Sequence, residues 1–236
     1  MSELELSLVV PAHDEAAGIA EAVRAAVAAV AALASDRCEV LVVDDGSTDD
    51  TGTILDELAA ELAPLEVLHL ARNVGHGPAL MAGCDRARGR WIAHLDADDQ
   101  IPADELALLW ARRDRAPLVL GTRTDRDDPR HRLVVTTVTR ALTSALAGRR
   151  LRDPNAPCKL VDRDLWLEAR NLLPDDTFAP SIGLAVIAAR TGRTIEEVPV
   201  AHRARRHGRS SLRPVRLARA LGRSARQTVG LTRRLR

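Results

Sequence analysis

Tyrosine is absent from this 236-residue chain, phenylalanine occurs once and tryptophan three times. Aromatic residues make up 2% of the sequence, too few to build the stacking platforms on which proteins lay single-stranded nucleic acid. Lysine is scarcer still: Lys159 is the only one, and arginine supplies the rest of the positive charge. The three cysteines, Cys38, Cys84 and Cys158, form neither a CxxC pair nor an even framework. That argues against a disulfide scaffold or a cysteine zinc site and for buried thiols in a reducing compartment. Long apolar runs are also missing. The longest near-apolar segment, AAVAAVAALA (25–34), is too short to span a bilayer, and MSELELSLVV carries acids where a secretory signal needs basic residues. The expectation is a cytoplasmic protein, with at most a peripheral position at the inner face of the cell membrane.

Acidic residues stop at Glu197. Residues 1–118 hold 9 arginines against 22 acids, whereas the remainder holds 25 basic residues against 11 acids, although the net charge of the whole is only +1. Such asymmetry describes an acidic half suited to cations and a basic half suited to anions.

A hydrophobic fraction of 46% is enough to fill a core. Short β-rich runs at 6–10, 39–47, 66–71, 89–98 and 117–123 alternate with helical patterns, among them 49–62 and 78–88. This alternation predicts an α/β fold with a mostly parallel sheet flanked by helices. After about residue 125 the pattern changes. HRLVVTTVTRALTSALAG has helical spacing, DPNAPCKLVDRDLWLEARNLL reads as a turn followed by a helix, SIGLAVIAARTG as another helix, and TIEEVPVAHR as a short strand. Polar clusters follow the strand ends: PAHDE, DDGSTDD, RNVGHG, DADDQ and GTR. Ligands of open parallel sheets bind at the carboxyl ends of the strands, so these five loops outline one site.

The stretch HLDADDQIP (94–102) puts Asp96, Asp98 and Asp99 directly after an apolar strand. Carboxylates this close resist burial unless they are solvated, protonated or neutralised by a cation. Asp96 and Asp98, at i and i+2, can turn toward one cation, with Gln100 adding a neutral oxygen, and oxygen ligands of this kind suit Mg2+ or Mn2+. An isolated DxD is more often a solvated turn or a helix cap ahead of Pro102, so the surroundings decide.

Those surroundings, VVPAHDE, VVDDGSTDDT, RNVGHGPALMAG, ARGRWIAHLDADDQ, GTR and GRSSL, resemble in order and spacing the family 2 glycosyltransferases of the GT-A (Rossmann-like) fold. The likeness is greatest to the dolichol-phosphate mannosyltransferase and polyprenyl-phosphate glycosyltransferase branch. It runs from about residue 6 to 212, which defines a catalytic domain (1–212) followed by a basic helical C-terminal extension (213–236). The resemblance implies an inverting transfer of a hexose from a GDP- or UDP-sugar to a polyprenyl phosphate. It assigns Pro11, Ala12, His13 and Glu15 to the nucleotide pocket, Asp44 and Asp45 to base and ribose, and Asp96, Ala97 and Asp98 to the donor diphosphate. Asp96, Asp98 and Gln100 become the Mg2+ or Mn2+ site.

On the acceptor side the resemblance implies Arg123, Arg132 and Thr136 as the grip on a lipid phosphate, since a guanidinium holds phosphate through paired hydrogen bonds. Arg205 and Ser210 match a stretch that folds over the diphosphate, which makes Asp98, Arg123 and Arg205 the candidate catalytic residues. Gly75 and Gly77 would permit close backbone approach, and His76, where relatives frequently have lysine, receives no role. DPNAPCKL departs from the family's usual DPTSGFKL. Together with the lack of a membrane span, this keeps open a soluble relative acting on a small-molecule or peptide acceptor. A nucleic-acid binder using the arginine-rich tail would leave the acidic loops unexplained. That tail lines up Val215, Ala218, Leu221, Ala225 and Val229 along one helical face, a pattern suited to an anionic membrane surface.

Overall fold

The computed structural model describes residues 4–123, 130–203 and 214–235, without the side chains of 130–135 and 214–221. Its strands are β1 (Leu6–Ala12), β2 (Cys38–Asp44), β3 (Leu65–His69), β4 (Trp91–His94), β5 (Leu118–Arg123), β6 (Lys159–Asp162) and β7 (Ile195–Val200). Its helices are α1 (Ile19–Ala34), α2 (Thr51–Glu61), α3 (His76–Arg86), α4 (Leu106–Trp110), α5 (Arg130–Ala147), α6 (Arg163–Arg170), α7 (Pro180–Arg190) and α8 (Pro214–Arg234). The strands form one sheet in the order β3-β2-β1-β4-β6-β5-β7.

Both faces of this sheet are covered. Leu6, Leu8 and Val10 of β1 and Val40 and Val42 of β2 join one core cluster, with Val23 and Val30 of α1 and Leu55 of α2. Val9, Leu41 and Val43, the alternate residues of the same strands, join a second cluster with Leu80 of α3 and Leu184 and Ile187 of α7. Strands buried on both faces read as continuous apolar runs, which is why β1 and β2 stand out in the sequence. Helix α3 lies unusually close to the sheet. A Cβ on its Gly83 would come within 2.4 Å of a Val9 methyl and 2.8 Å of a Val43 methyl.

The expected parallel sheet is present, with one reversal. β6 runs antiparallel to β4 on one side and to β5 on the other, so β4 and β5 are not neighbours. From the sequence this segment reads as a turn and a helix because the strand is only four residues long. It passes straight into α6, whose N-cap, Asp162, accepts from the Asp164 N–H at 2.9 Å. A run that short shows no periodicity of its own. The reversal matters for function, because it brings the beginning of β6, rather than its end, to the edge where the parallel strands finish.

Helix α8 lies along α5 and α7. Its Ser224, Thr228, Leu231 and Thr232 are buried, Leu231 within the second core cluster. Arg223 pairs with Asp176 at 2.7 Å, and the Gln227 side chain accepts from the Phe178 N–H at 2.9 Å. Of the apolar face expected for this segment, Ala225 and Val229 are half-buried, and Val215, Ala218 and Leu221 have side chains outside the description. No helix among the described residues is long and apolar enough to cross a membrane.

Candidate active site

The first two strand-end loops are tied to each other. Pro11 and Ala12 finish β1 as buried residues, and His13 and Asp14 project outward. The Asp14 N–H donates to Ser47 Oγ at 3.0 Å, and the Thr48 N–H returns a bond to Asp14 Oδ1 at 2.8 Å. One residue on, the Glu15 N–H donates to Thr51 Oγ1 at 2.9 Å. Asp14 takes part with a φ of +52°, a left-handed conformation that aspartate tolerates better than most residues because its short side chain can bond locally. The ends of β1 and β2 thus form one connected rim.

Asp44 and Asp45, assigned from the resemblance to base and ribose, are both buried and already engaged. Asp44 accepts from the Ser47 N–H at 3.0 Å and meets His69 Nδ1 at 3.0 Å. Burial pushes its carboxyl upward, yet the Ser47 and His69 hydrogen bonds outweigh this and hold it below the usual carboxylate range. Asp45 accepts the N–H of Val74 at 2.7 Å and of Gly75 at 2.9 Å. Asp45 therefore fastens the RNVGHG loop to the β2 end while Asp44 ties that end to His69 of β3, and each carboxylate retains further lone pairs for a ligand. Gly75 adopts a φ of +98°. A Cβ on Gly77 would lie 2.3 Å from the Thr177 carbonyl oxygen, so the close approach expected there is made to the protein's own backbone.

The fourth loop carries DADDQ. Asp96 is half-buried, and its Oδ1 accepts from His94 Nε2 at 3.0 Å while His76 Nε2 stands 3.6 Å away. Burial would raise the Asp96 carboxyl, but His76, His94 and the Lys159 ammonium together hold it below its ordinary range. Burial and then Lys159 push the His94 imidazole down to about 3, so the ring is neutral. His76, His94 and Asp96 bring ligand atoms within 4.8 Å of one another. Asp98 does not join that group. Its Oδ1 accepts from the Gln100 N–H at 3.2 Å, and with Ala97 and Asp99 it lines a depression shared with Glu15 and Glu21. Asp99 is half-buried there with a φ of +52°. Asp96 and Asp98 thus have different neighbours, and carboxylate oxygens with an adjacent imidazole are donor types that suit Mg2+ or Mn2+.

The acceptor-side residues are less assembled. Arg123 ends β5 and holds Asp153 through two hydrogen bonds, Nε to Oδ2 at 2.7 Å and Nη2 to Oδ1 at 3.0 Å. Thr136 is half-buried on α5, one turn after Arg132, whose side chain lies outside the described residues. Arg205 and Ser210 lie outside them as well. Arg203, the last residue described before them, donates its N–H to the Gln100 carbonyl at 2.7 Å, so the basic segment sets out from the DADDQ loop.

Three residues to which the sequence pattern gives no role stand at this centre: His76, His94 and Lys159. The available signal was Lys159 itself, one lysine in a chain that otherwise uses arginine. It is buried at the start of β6, directly across from His94 in the register. Cys84 and Cys158 nearby are thiols pushed up to about 12 by burial, which makes them inert packing residues.

The model of the family described as glycosyl transferase family 2 matches residues 7–165. The chain belongs to glycosyl transferase family 2. Among similar proteins of the family, the undecaprenyl-phosphate 4-deoxy-4-formamido-L-arabinose transferase of Klebsiella pneumoniae is 32% identical over 215 residues, spanning 90% of this chain and 64% of that one. The protein of the same name from Pseudomonas fluorescens is 32% identical over 217 residues, spanning 90% and 61%. The chain thus spans a little under two thirds of the length of these relatives. A solved structure of glucosyl-3-phosphoglycerate synthase from Mycobacterium tuberculosis, in complex with Mn2+, UDP and phosphoglyceric acid, superposes with a TM-score of 0.68. The two are 24% identical, over 98% of this chain and 78% of that one. A likeness at that identity speaks for the shared GT-A fold, the mostly parallel sheet flanked by helices described above.

Proposed function

We propose that this family 2 glycosyltransferase moves a hexose from a GDP- or UDP-sugar to a polyprenyl phosphate, with inversion at the anomeric carbon and with Mg2+ or Mn2+ in the donor site. The observation that carries the reading is the acidic centre at the β4 end. There Asp96 is held by His94, and Asp98, two residues on, lines a depression with Glu15 of the β1 loop. A buried histidine hydrogen-bonded to a carboxylate at a strand end marks that carboxylate as a candidate functional group. The names of the relatives support a polyprenyl-phosphate acceptor. The Mn2+ and UDP in the neighbour's title support the donor side.

In this reading Glu15, Asp44 and Asp45, with Pro11, Ala12 and His13, receive the nucleoside. Asp96, Asp98 and Gln100 would hold the cation, which supplies Lewis-acid neutralisation of the departing diphosphate. Arg205, with Ser210, adds a second positive group as charge develops on that diphosphate. Arg123, Arg132 and Thr136 position the acceptor. A phosphate monoester is anionic near neutral pH, so the acceptor side has to orient an oxygen and screen its charge, without a strong general base. The basic C-terminal segment would favour an anionic lipid surface, each arginine there contributing about 1 kcal/mol at low salt.

A second reading has its own support: a soluble phosphate-bearing acceptor, as in the neighbour whose title names phosphoglyceric acid. The departure at 155–157, which follows the clamped Asp153, fits an acceptor pocket that differs from the family's usual one. One screen separates the two. Nucleotide release is measured for GDP- and UDP-linked hexoses and pentoses, with a short polyprenyl phosphate, with 3-phosphoglycerate, or with no acceptor. Release stimulated by the lipid phosphate is expected. Stimulation by the soluble phosphate alone moves the second reading ahead, and release with neither, across all donors, overturns both.

A further inference from the structure

Lys159 is the only lysine of the chain and sits 3% exposed at the first position of β6. Its surroundings are largely apolar: Leu80, Ile92, Val161, Trp166 and Leu184 line the small cavity beside it. Nothing in that packing calls for a cation, and a methionine of similar length would fill the space with no desolvation cost. The ammonium has two partners instead. It lies 2.9 Å from His94 Nδ1, and it donates to the Ser181 hydroxyl in the first turn of α7.

The direction of every proton in this chain of contacts follows from what each group can do. The Lys159 ammonium can only donate, and it stands 2.9 Å from His94 Nδ1, so that nitrogen presents a lone pair. The ring hydrogen is then on Nε2, 3.0 Å from Asp96 Oδ1, where it donates to the carboxylate. Without Lys159 the buried ring could take either tautomer, and with the hydrogen on Nδ1 it would turn a lone pair toward the Asp96 carboxylate. Both ring nitrogens are occupied in this arrangement. His94 is therefore a support for the His76–Asp96 cluster and not a ligand within it.

We propose that Lys159 is a positioning residue for the donor-cation site: by donating to His94 Nδ1 it locks the Nε2–H tautomer, and that N–H aims the Asp96 carboxylate. The inference rests on the reading of Asp96 as a cation and diphosphate residue. It extends that reading to three side chains from three elements, Ser181 on α7, Lys159 on β6 and His94 on β4, arranged in series behind one carboxylate. Outer partners of this kind fix ring orientation and tautomer in metal sites, and their loss typically costs about 10- to 100-fold in metal affinity.

The test uses the full chain with 15N-labelled histidine, free of metal. The wild-type His94 nitrogens should report the neutral Nε2–H tautomer near neutral pH. A protonated ring or an Nδ1–H tautomer overturns the proposal before any variant is made. Lys159→Met should shift His94 toward a mixture of tautomers and weaken Mn2+ binding in the presence of UDP or GDP by about 10-fold or more, read by electron paramagnetic resonance. Lys159→Arg, which retains a donor, should recover part of both. A folded Lys159→Met protein with wild-type Mn2+ affinity and an unchanged His94 spectrum overturns the positioning role while leaving the donor-site reading intact. A wild-type protein that binds neither Mn2+ nor Mg2+ with either nucleotide overturns the reading, and the proposal with it. Should Lys159→Met not fold, Lys159→Arg and the wild-type tautomer decide.

Discussion

The Arg123 guanidinium and the Asp153 carboxylate face each other across the gap between the end of β5 and the approach to β6, joined by two hydrogen bonds, with 17% and 6% of their side chains exposed. Breaking such a pair from one side strands a largely buried charge. Arg123→Ala should therefore cost about 3 kcal/mol or more of folding stability. The Arg123→Ala/Asp153→Ala double variant should lose clearly less than the sum of the two single losses. Urea unfolding of the four proteins measures both. In the transferase assay, Arg123→Ala should raise the KM for a phosphate acceptor more than that for the nucleotide sugar; the reverse order would put Arg123 on the donor side.

Asp98→Asn keeps the shape of the side chain and removes its charge. Transfer should fall on the order of 100-fold, comparable with the loss of one preorganised electrostatic group, while the unfolding curve stays close to wild type. Chelation with EDTA should reduce turnover in the same way, and Mn2+ or Mg2+ should restore it. Full turnover in chelator would mean that arginine alone neutralises the diphosphate.

His69 bridges two acids, Asp44 at 3.0 Å and Asp56 at 3.0 Å. The Asp44 hydrogen bond raises its pKa above the ordinary 6.5, against the effect of burial. A raised histidine pKa stabilises the fold fully below about pH 6.5, and that contribution disappears as pH climbs through the folded-state value. The ring is 41% exposed, so the effect should be a few tenths of a kcal/mol to about 1 kcal/mol. Stability measured from pH 5.5 to 9 should decline more steeply for the wild type than for His69→Gln. Parallel curves would show that the pair is not coupled to folding.

Gly77 leaves no space for a methyl group. Its Cβ would meet the carbonyl oxygens of Thr177 and Phe178 at 2.3 and 2.5 Å, both of them backbone. Gly77→Ala should destabilise by about 1–3 kcal/mol, lowering the melting temperature by several degrees. Because the Phe178 N–H is held by Gln227 of α8, amide exchange in α8 should speed up as well.

The long β1 and β2 runs, the acids after β4 and the helix-forming pattern of α7 were legible because burial on both faces and strand-end polarity leave a direct trace in the residue order. The short β6 was not. Four residues between a turn and a helix carry no period, and their strand conformation is dictated by the open edges of β4 and β5. The acids of the site were found as acids, but their engagements were not. That Asp45 fastens the 74–75 backbone, or that Arg123 is held by Asp153, depends on pairs 29 and 30 positions apart. His94 reads as one more strand residue. Its importance appears only when the register sets Lys159 opposite it.

The reversed β6 changes what is modular in this fold. β1, β2 and β3 each reach the mouth at the last residue, so the loop there is bound in sequence to the helix that follows, and any change in length disturbs a crossover. The 153–158 segment instead enters the mouth before its strand begins. It is anchored at one end by Arg123 and at the other by the Gly121 N–H, which donates to the Cys158 carbonyl at 2.9 Å. Between those two anchors Asn155 is exposed, whereas Pro154 and Ala156 are buried. Exchanging residues 154–157 among family members should transfer acceptor preference without recutting the nucleotide side, which gives divergence and protein engineering the same short target.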